Sequence, residues 1–147
     1  MQGLNVIWVL NKNADKVLMC KRHKDPYKDL YNLVGGKIEP DEDGYEAAYR
    51  ELEEETGIAK GIELYHLMDF TYFMHQIRLE VYFGKLEHDV PVQGDEKELV
   101  WIDLDEDFFD MTRFAGEGNI GHIYEQLKCG GICGLGRQRQ GLSQNGL

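Results

Sequence analysis

The chain has 147 residues, 42% of them hydrophobic and 11% aromatic, which fits one soluble domain with a single well-filled core. Its formal net charge of −11 argues against polymeric nucleic acid as a ligand, because that binding rests on basic patches that neutralise phosphates. No apolar run approaches the roughly 18 to 20 residues a membrane helix needs, so no membrane association is expected.

Asn5–Leu10 (NVIWVL) reads as a strand, Asn11 to Asp15 as a turn, and Lys16–Arg22 (KVLMCKR) as the second strand of a hairpin. Met1–Leu10 has neither a basic segment nor a small-residue cleavage site and reads without a signal peptide. A polar loop broken by Pro26 leads to a short strand, Tyr31–Ile38, which contains Gly35-Gly36. A turn at Glu39-Pro40-Asp41 precedes the clearest helix, which is expected to start near Asp41 to Asp43 and to end at Gly57. Ala47, Ala48 and Leu52 form its inward stripe. Ile62–Leu86 suggests two strands turning near Met74-His75-Gln76, and Leu99–Asp103 another strand. Asp105–Met111 and Ile120–Lys128 read as helical. The sum is a mixed α/β domain over residues 1–128. Residues 129–147 are rich in Gly and Gln without a period and read as a flexible tail. Three cysteines, Cys20, Cys129 and Cys133, make neither a disulfide framework nor a zinc set, and a cytoplasmic, reducing location is the simplest reading.

The first helix carries Arg50-Glu51-Leu52-Glu53-Glu54-Glu55-Thr56-Gly57-Ile58. At about 100° per residue, Glu51, Glu54 and Glu55 share an arc of roughly 100°, whereas Glu53 points elsewhere. Three like charges on one face repel each other, and a hard divalent cation such as Mg²⁺ or Mn²⁺ turns that repulsion into attraction. Most glutamate runs are simply solvated faces. The flanking residues decide between the two readings. Gly36, five residues, Glu42, seven residues, then Arg50-Glu51-Leu52-x-Glu54-Glu55-x-Gly57-Ile58 fits G-x5-E-x7-R-E-U-x-E-E-x-G-U at every position, U being bulky aliphatic. From average residue frequencies a chance match is on the order of one in ten million.

In that motif, and in the elements around it from about residue 4 to 128, the chain resembles the Nudix hydrolase superfamily. The resemblance implies a Nudix α/β/α sandwich with a mixed sheet, and attack by water on phosphorus in a nucleoside diphosphate linked to another group. It implies a metal set of the Gly35 carbonyl, Glu51, Glu54, Glu55 and one later acid; Glu96 and Glu98 both fit, with Glu96 preferred. Glu51 and Glu54, with Arg50 fixing the carboxylates, would carry catalysis, and metal-bound water supplies hydroxide near neutral pH. Glu42 fits a structural pairing with Arg50. Arg22, at a strand end where relatives hold phosphate, and Lys37 are candidates for the phosphates, although Arg22 equally suits a solubilising strand end. Asn32 and Asn119 resemble base contacts of the MutT-type branch that hydrolyses (d)NTPs and oxidised dGTP, while a turn or cap role suits them as well. Against that branch, Ala115 and Gly116 stand where some members place paired aspartates.

Other branches fit less well. No proline lies between Pro40 and Pro91, where ADP-ribose hydrolases usually carry one, and Tyr72 comes a few positions early for a dinucleoside-polyphosphate enzyme. The expected ligand is thus a small nucleotide, with a (d)NTP first and a nucleotide sugar or another diphosphate second. A non-catalytic nucleotide-sensing module is the alternative of another class, and because many relatives pair, a homodimer is left open.

Overall fold

The computed structural model describes residues 1–93 and 97–130, in the order β1 (Gln2–Leu10), β2 (Lys16–Lys21), β3 (Tyr31–Leu33), α1 (Gly44–Thr56), β4 (Tyr65–Tyr72), β5 (Ile77–Lys85), β6 (Glu98–Asp103) and α2 (Asn119–Cys129). Glu96 and residues 131–147 of the expected tail lie outside the described residues. Cys129, where that tail was expected to begin, closes α2 instead.

Six strands form one mixed sheet with the central order β3-β2-β1-β5-β4, and β6 pairs with β2. β1 runs parallel to β5 along its whole length, from Gln2↔Ile77 to Leu10↔Lys85. Both strands are buried on both faces over their C-terminal halves, so they read as continuous apolar runs. Alternate residues of β1 feed two separate cores. Trp8 and Leu10 join Val17, Met19, Val81 and Phe83 under Ile120, Ile123 and Leu127 of α2. Ile7 and Val9 join Leu18, Cys20 and Tyr82 under Ala48 and Leu52 of α1. A helix on each face of a mixed sheet is the expected sandwich.

Two local expectations need correcting. β1 and β2 do not continue as a hairpin, because their pairing is confined to Leu10↔Val17. β2 instead pairs with β6 along its whole length, Lys16↔Asp103 to Lys21↔Glu98. The segment after β3 enters the gap: it leaves β2 and bridges β1 at Ile7↔Val34 and Leu4↔Lys37. This change of partner brings Gly36 against Glu51 of α1. Asp105–Met111 is a series of turns rather than a helix. There the Asp107 and Asp110 carboxylates accept from the backbone N–H groups of Phe109 and Thr112, which competes with helical bonding.

α1 begins one residue later than expected. Asp43 caps it by accepting from the Glu46 N–H at 2.9 Å, and Gly57 ends it in the left-handed region at φ +80. Among the described residues no helix is long and apolar enough to cross a membrane.

Candidate active site

The Glu51 carboxylate of α1 packs against Gly36. A methyl group on Gly36 would lie 2.4 Å from the Glu51 carboxyl carbon, so the absence of a side chain is what lets Glu51 rest on the backbone. Gly35 has φ +150, and a Cβ there would lie 2.2 Å from the Asn5 carbonyl oxygen. Asn5 holds the segment from β1. Its side-chain oxygen accepts from the Gly36 N–H at 3.0 Å, and its own N–H donates to the Gly36 carbonyl at 2.8 Å.

Arg50 organises the acids. Its Nε and Nη2 form a fork on Glu42 at 2.9 and 2.5 Å, and Nη2 also donates to the Lys37 carbonyl at 2.9 Å. Nη1 lies 3.1 Å from Glu51 Oε1 and 3.2 Å from Glu54 Oε2. The expected pairing of Glu42 with Arg50 is therefore present, and it holds the Glu42 carboxyl down to about 2. Burial pushes the Glu51 carboxyl above its ordinary value, and Arg50 opposes that shift.

Glu55 has two dissimilar oxygens. Oε1 accepts from Lys97 Nζ at 3.0 Å, whereas Oε2 is buried without a hydrogen-bond partner. A buried carboxylate oxygen lacking a donor is costly unless a cation meets it. With Glu51 and Glu54 on the same helix face the donors are hard and all oxygen, a set suited to Mg²⁺ or Mn²⁺.

A cleft of about 450 Å³ includes Gly35, Gly36 and Lys97 in its lining, next to this cluster. Arg22, Asn32 and Asn119, expected to bind substrate, all line it. Lys37 is exposed and not among the lining residues; its carbonyl accepts from Arg50 Nη2. Arg22 Nε donates to the Pro26 carbonyl at 2.7 Å. The two amides are oriented in opposite senses. Asn32 Oδ1 accepts from the Leu33 N–H at 2.9 Å, and Asn119 Nδ2 donates to the Tyr72 hydroxyl at 2.5 Å. Asn119 makes no helix cap, for the cap residue is Gly118 and α2 has no side-chain cap bond.

Tyr27, Tyr72 and Lys97 also line the cleft, although the sequence pattern had not singled out Tyr27 or Lys97. Burial, then the Glu117 carboxylate that accepts from its hydroxyl at 2.7 Å, pushes the Tyr27 phenol up to about 12, so it remains a donor at neutral pH. Asn5 was missed as well, and its signal was available: a lone amide in a strand otherwise apolar from Val6 to Leu10.

Among the described residues, the three potential metal ligands whose atoms all lie within 4.8 Å of one another are His66, Asp69 and Glu80, on β4 and β5 rather than on α1. Their atoms are already engaged. His66 Nε2 lies 2.6 Å from Asp69, and Glu80 accepts from Arg78 at 2.7 Å and from the Tyr82 hydroxyl at 2.5 Å. The orphaned oxygen at Glu55 makes the box acids the better-fitting cation site.

A family model described as NUDIX domain matches residues 1–119. The chain belongs to the NUDIX family. Its sequence is 30% identical over 94 residues to an ADP-ribose pyrophosphatase of Methanocaldococcus jannaschii, a match covering 61% of this chain and 56% of that protein. The Nudix fold is shared with a MutT from work on Aliivibrio salmonicida and Vibrio cholerae, at TM-score 0.63 and 22% identity over 86% of this chain and 97% of that one. It is also shared with a C. elegans Ap4A hydrolase, at TM-score 0.70 and 18% identity over 88% and 96% of the two chains. Both structures are likenesses of fold.

Proposed function

We propose that this Nudix chain is a divalent-metal-dependent pyrophosphohydrolase that cleaves a (d)NTP, or an oxidised (d)NTP, to the monophosphate and pyrophosphate. The observation that carries this reading is the contact of the box acids with the cleft wall: Glu51 rests on Gly36 and Glu55, with its unpartnered oxygen, is bonded to Lys97, and both Gly36 and Lys97 line the cleft that Arg22, Asn32 and Asn119 also line. Glu51, Glu54 and Glu55, with the Gly35 carbonyl and Glu96 as further donors, would hold Mg²⁺ or Mn²⁺. The ion supplies charge neutralisation on the phosphates and a more acidic water.

The protein side chains do the rest. Glu51, raised by burial and steered by Arg50, accepts a proton from the attacking water. That water adds to one phosphorus as the bridging P–O bond breaks, and both products leave as phosphates. Asn32 presents its N–H₂ and Asn119 its carbonyl oxygen, because their other amide atoms are already bonded; one wall thus donates to a base edge and the other accepts from it. The same reading keeps a cytoplasmic location, a small nucleotide as the partner and a homodimer as the assembly to look for.

A second reading, hydrolysis of ADP-ribose, is favoured by the M. jannaschii relative. The two separate in a panel of dNTPs, 8-oxo-dGTP, ADP-ribose, nucleotide sugars and dinucleoside polyphosphates, assayed with Mg²⁺ and with Mn²⁺. Metal-dependent release of pyrophosphate from a dNTP supports the first reading, and AMP from ADP-ribose the second. Binding of a nucleotide without turnover would replace both with a sensor module.

A further inference from the structure

Lys97 joins the two halves of the site. It immediately precedes β6, and the pairing Lys21↔Glu98 and Cys20↔Leu99 sets it beside the end of β2. From there its ammonium reaches Glu55 Oε1 at 3.0 Å while the residue also lines the cleft. The other basic groups nearby are committed differently. Arg50 is spread over Glu42, Glu51, Glu54 and the Lys37 carbonyl, and Arg22 is tied to the Pro26 carbonyl. Lys97 alone among the lysines and arginines lining the cleft is bonded to a carboxylate of the box.

Glu55 therefore offers one oxygen to Lys97 and keeps the other buried and unpartnered. A divalent ion meeting Oε2 would place two positive groups on one carboxylate, and each weakens the hold of the other. Lys97 can yield. Its side chain is 40% exposed, on a flexible four-carbon stem, and the cleft it lines is where the phosphates of a nucleotide would lie.

We propose that Lys97 is an exchangeable counterion: it neutralises Glu55 in the metal-free protein and transfers to the phosphate chain of the nucleotide when a divalent ion takes Glu55. The exchange rests on the reading of Glu55 as a metal ligand, but not on turnover. It makes metal and nucleotide binding mutually reinforcing, since each removes the partner that the other displaces.

Calorimetric titration tests this with two probes: Mn²⁺ into the nucleotide-free protein, and α,β-methylene dGTP into protein saturated with Mn²⁺. Lys97→Met should bind Mn²⁺ more tightly, by about three- to tenfold, and the analogue about tenfold more weakly. Lys97→Arg, which keeps the charge, should stay close to the parent in both titrations. Unchanged or weaker Mn²⁺ binding by Lys97→Met would mean that the lysine only props Glu55 in place, and would overturn the exchange. Unchanged analogue affinity would overturn it too. Glu55→Gln separates the premises: if it binds Mn²⁺ as the parent does, Glu55 is no ligand and the exchange falls with that assignment. A parent protein that shows the exchange but hydrolyses nothing in the panel would refute the proposed activity and leave the role of Lys97 standing.

Discussion

At the proposed metal end of the site, Arg50, Glu51, Glu54 and Glu55 come from two turns of one helix, and Glu51 rests on Gly36. The proposed nucleoside end is assembled differently, from the end of β2, β3, the end of β4 and the start of α2, with Asn119 reaching Tyr72 across 47 residues of sequence. The first region is charged and held by Arg50; the second is lined by tyrosines and amides, of which Asn119 and Tyr72 bond to each other. Chemistry common to a family can be encoded in one short segment, whereas recognition draws on distant segments whose pairing is particular to each chain.

Substitutions at the metal end should therefore stop turnover, and those at the nucleoside end should mainly change substrate affinity. The largest effect is expected for Glu54→Gln and Glu51→Gln, each lowering kcat at least ~10²-fold in the metal-supplemented assay. Full activity in both would break the distinction outright. The two glycines sharpen it within the metal end. Gly35→Ala places a methyl group against backbone at a φ unfavourable to alanine and should cost about 3 kcal/mol in chemical denaturation. Gly36→Ala meets a side chain that can move, so it should lower activity about tenfold while melting close to the parent.

Asn32→Ala and Asn119→Ala probe the other region. Each should raise KM by up to about tenfold, the value of one hydrogen bond, with kcat within a few fold of the parent. An equal fall in kcat would place these amides with the chemistry.

The Glu42–Arg50 fork gives a pH test with a defined sign. Its folded value of about 2 lies below the ordinary 4.5, so its stabilisation is complete above 4.5 and is lost as the pH falls towards 2. The difference in melting temperature between the parent and Glu42→Gln should thus be constant from pH 8 to 5 and shrink below that range. The smallest effect is expected for Glu53→Gln, because Glu53 is exposed and stands at a free position of the motif; activity should stay within about twofold.

The contrast also explains what could be read from sequence. α1, its Asp43–Gly57 boundaries and the Glu42–Arg50 pair follow from periodicity, capping residues and fixed spacing, all local signals. The separation of β1 from β2 does not, because Leu10 and Lys16 flank an ordinary turn and only the intrusion of residues 34–38 parts the strands. Asp105–Met111 has an apolar pattern compatible with a helix, but Asp107 and Asp110 bind the nearby backbone instead. Tyr27 and Lys97 carry no local signal. Their places depend on Glu117 and Glu55, 90 and 42 residues distant.

Paramagnetic broadening of backbone amide signals by substoichiometric Mn²⁺ tests most directly where the divalent ion binds. Broadening should centre on Gly35, Gly36, Glu51, Glu54 and Glu55, and disappear with Glu54→Gln. Broadening centred on His66, Asp69 and Glu80, where three potential ligands already stand close together, would contradict it.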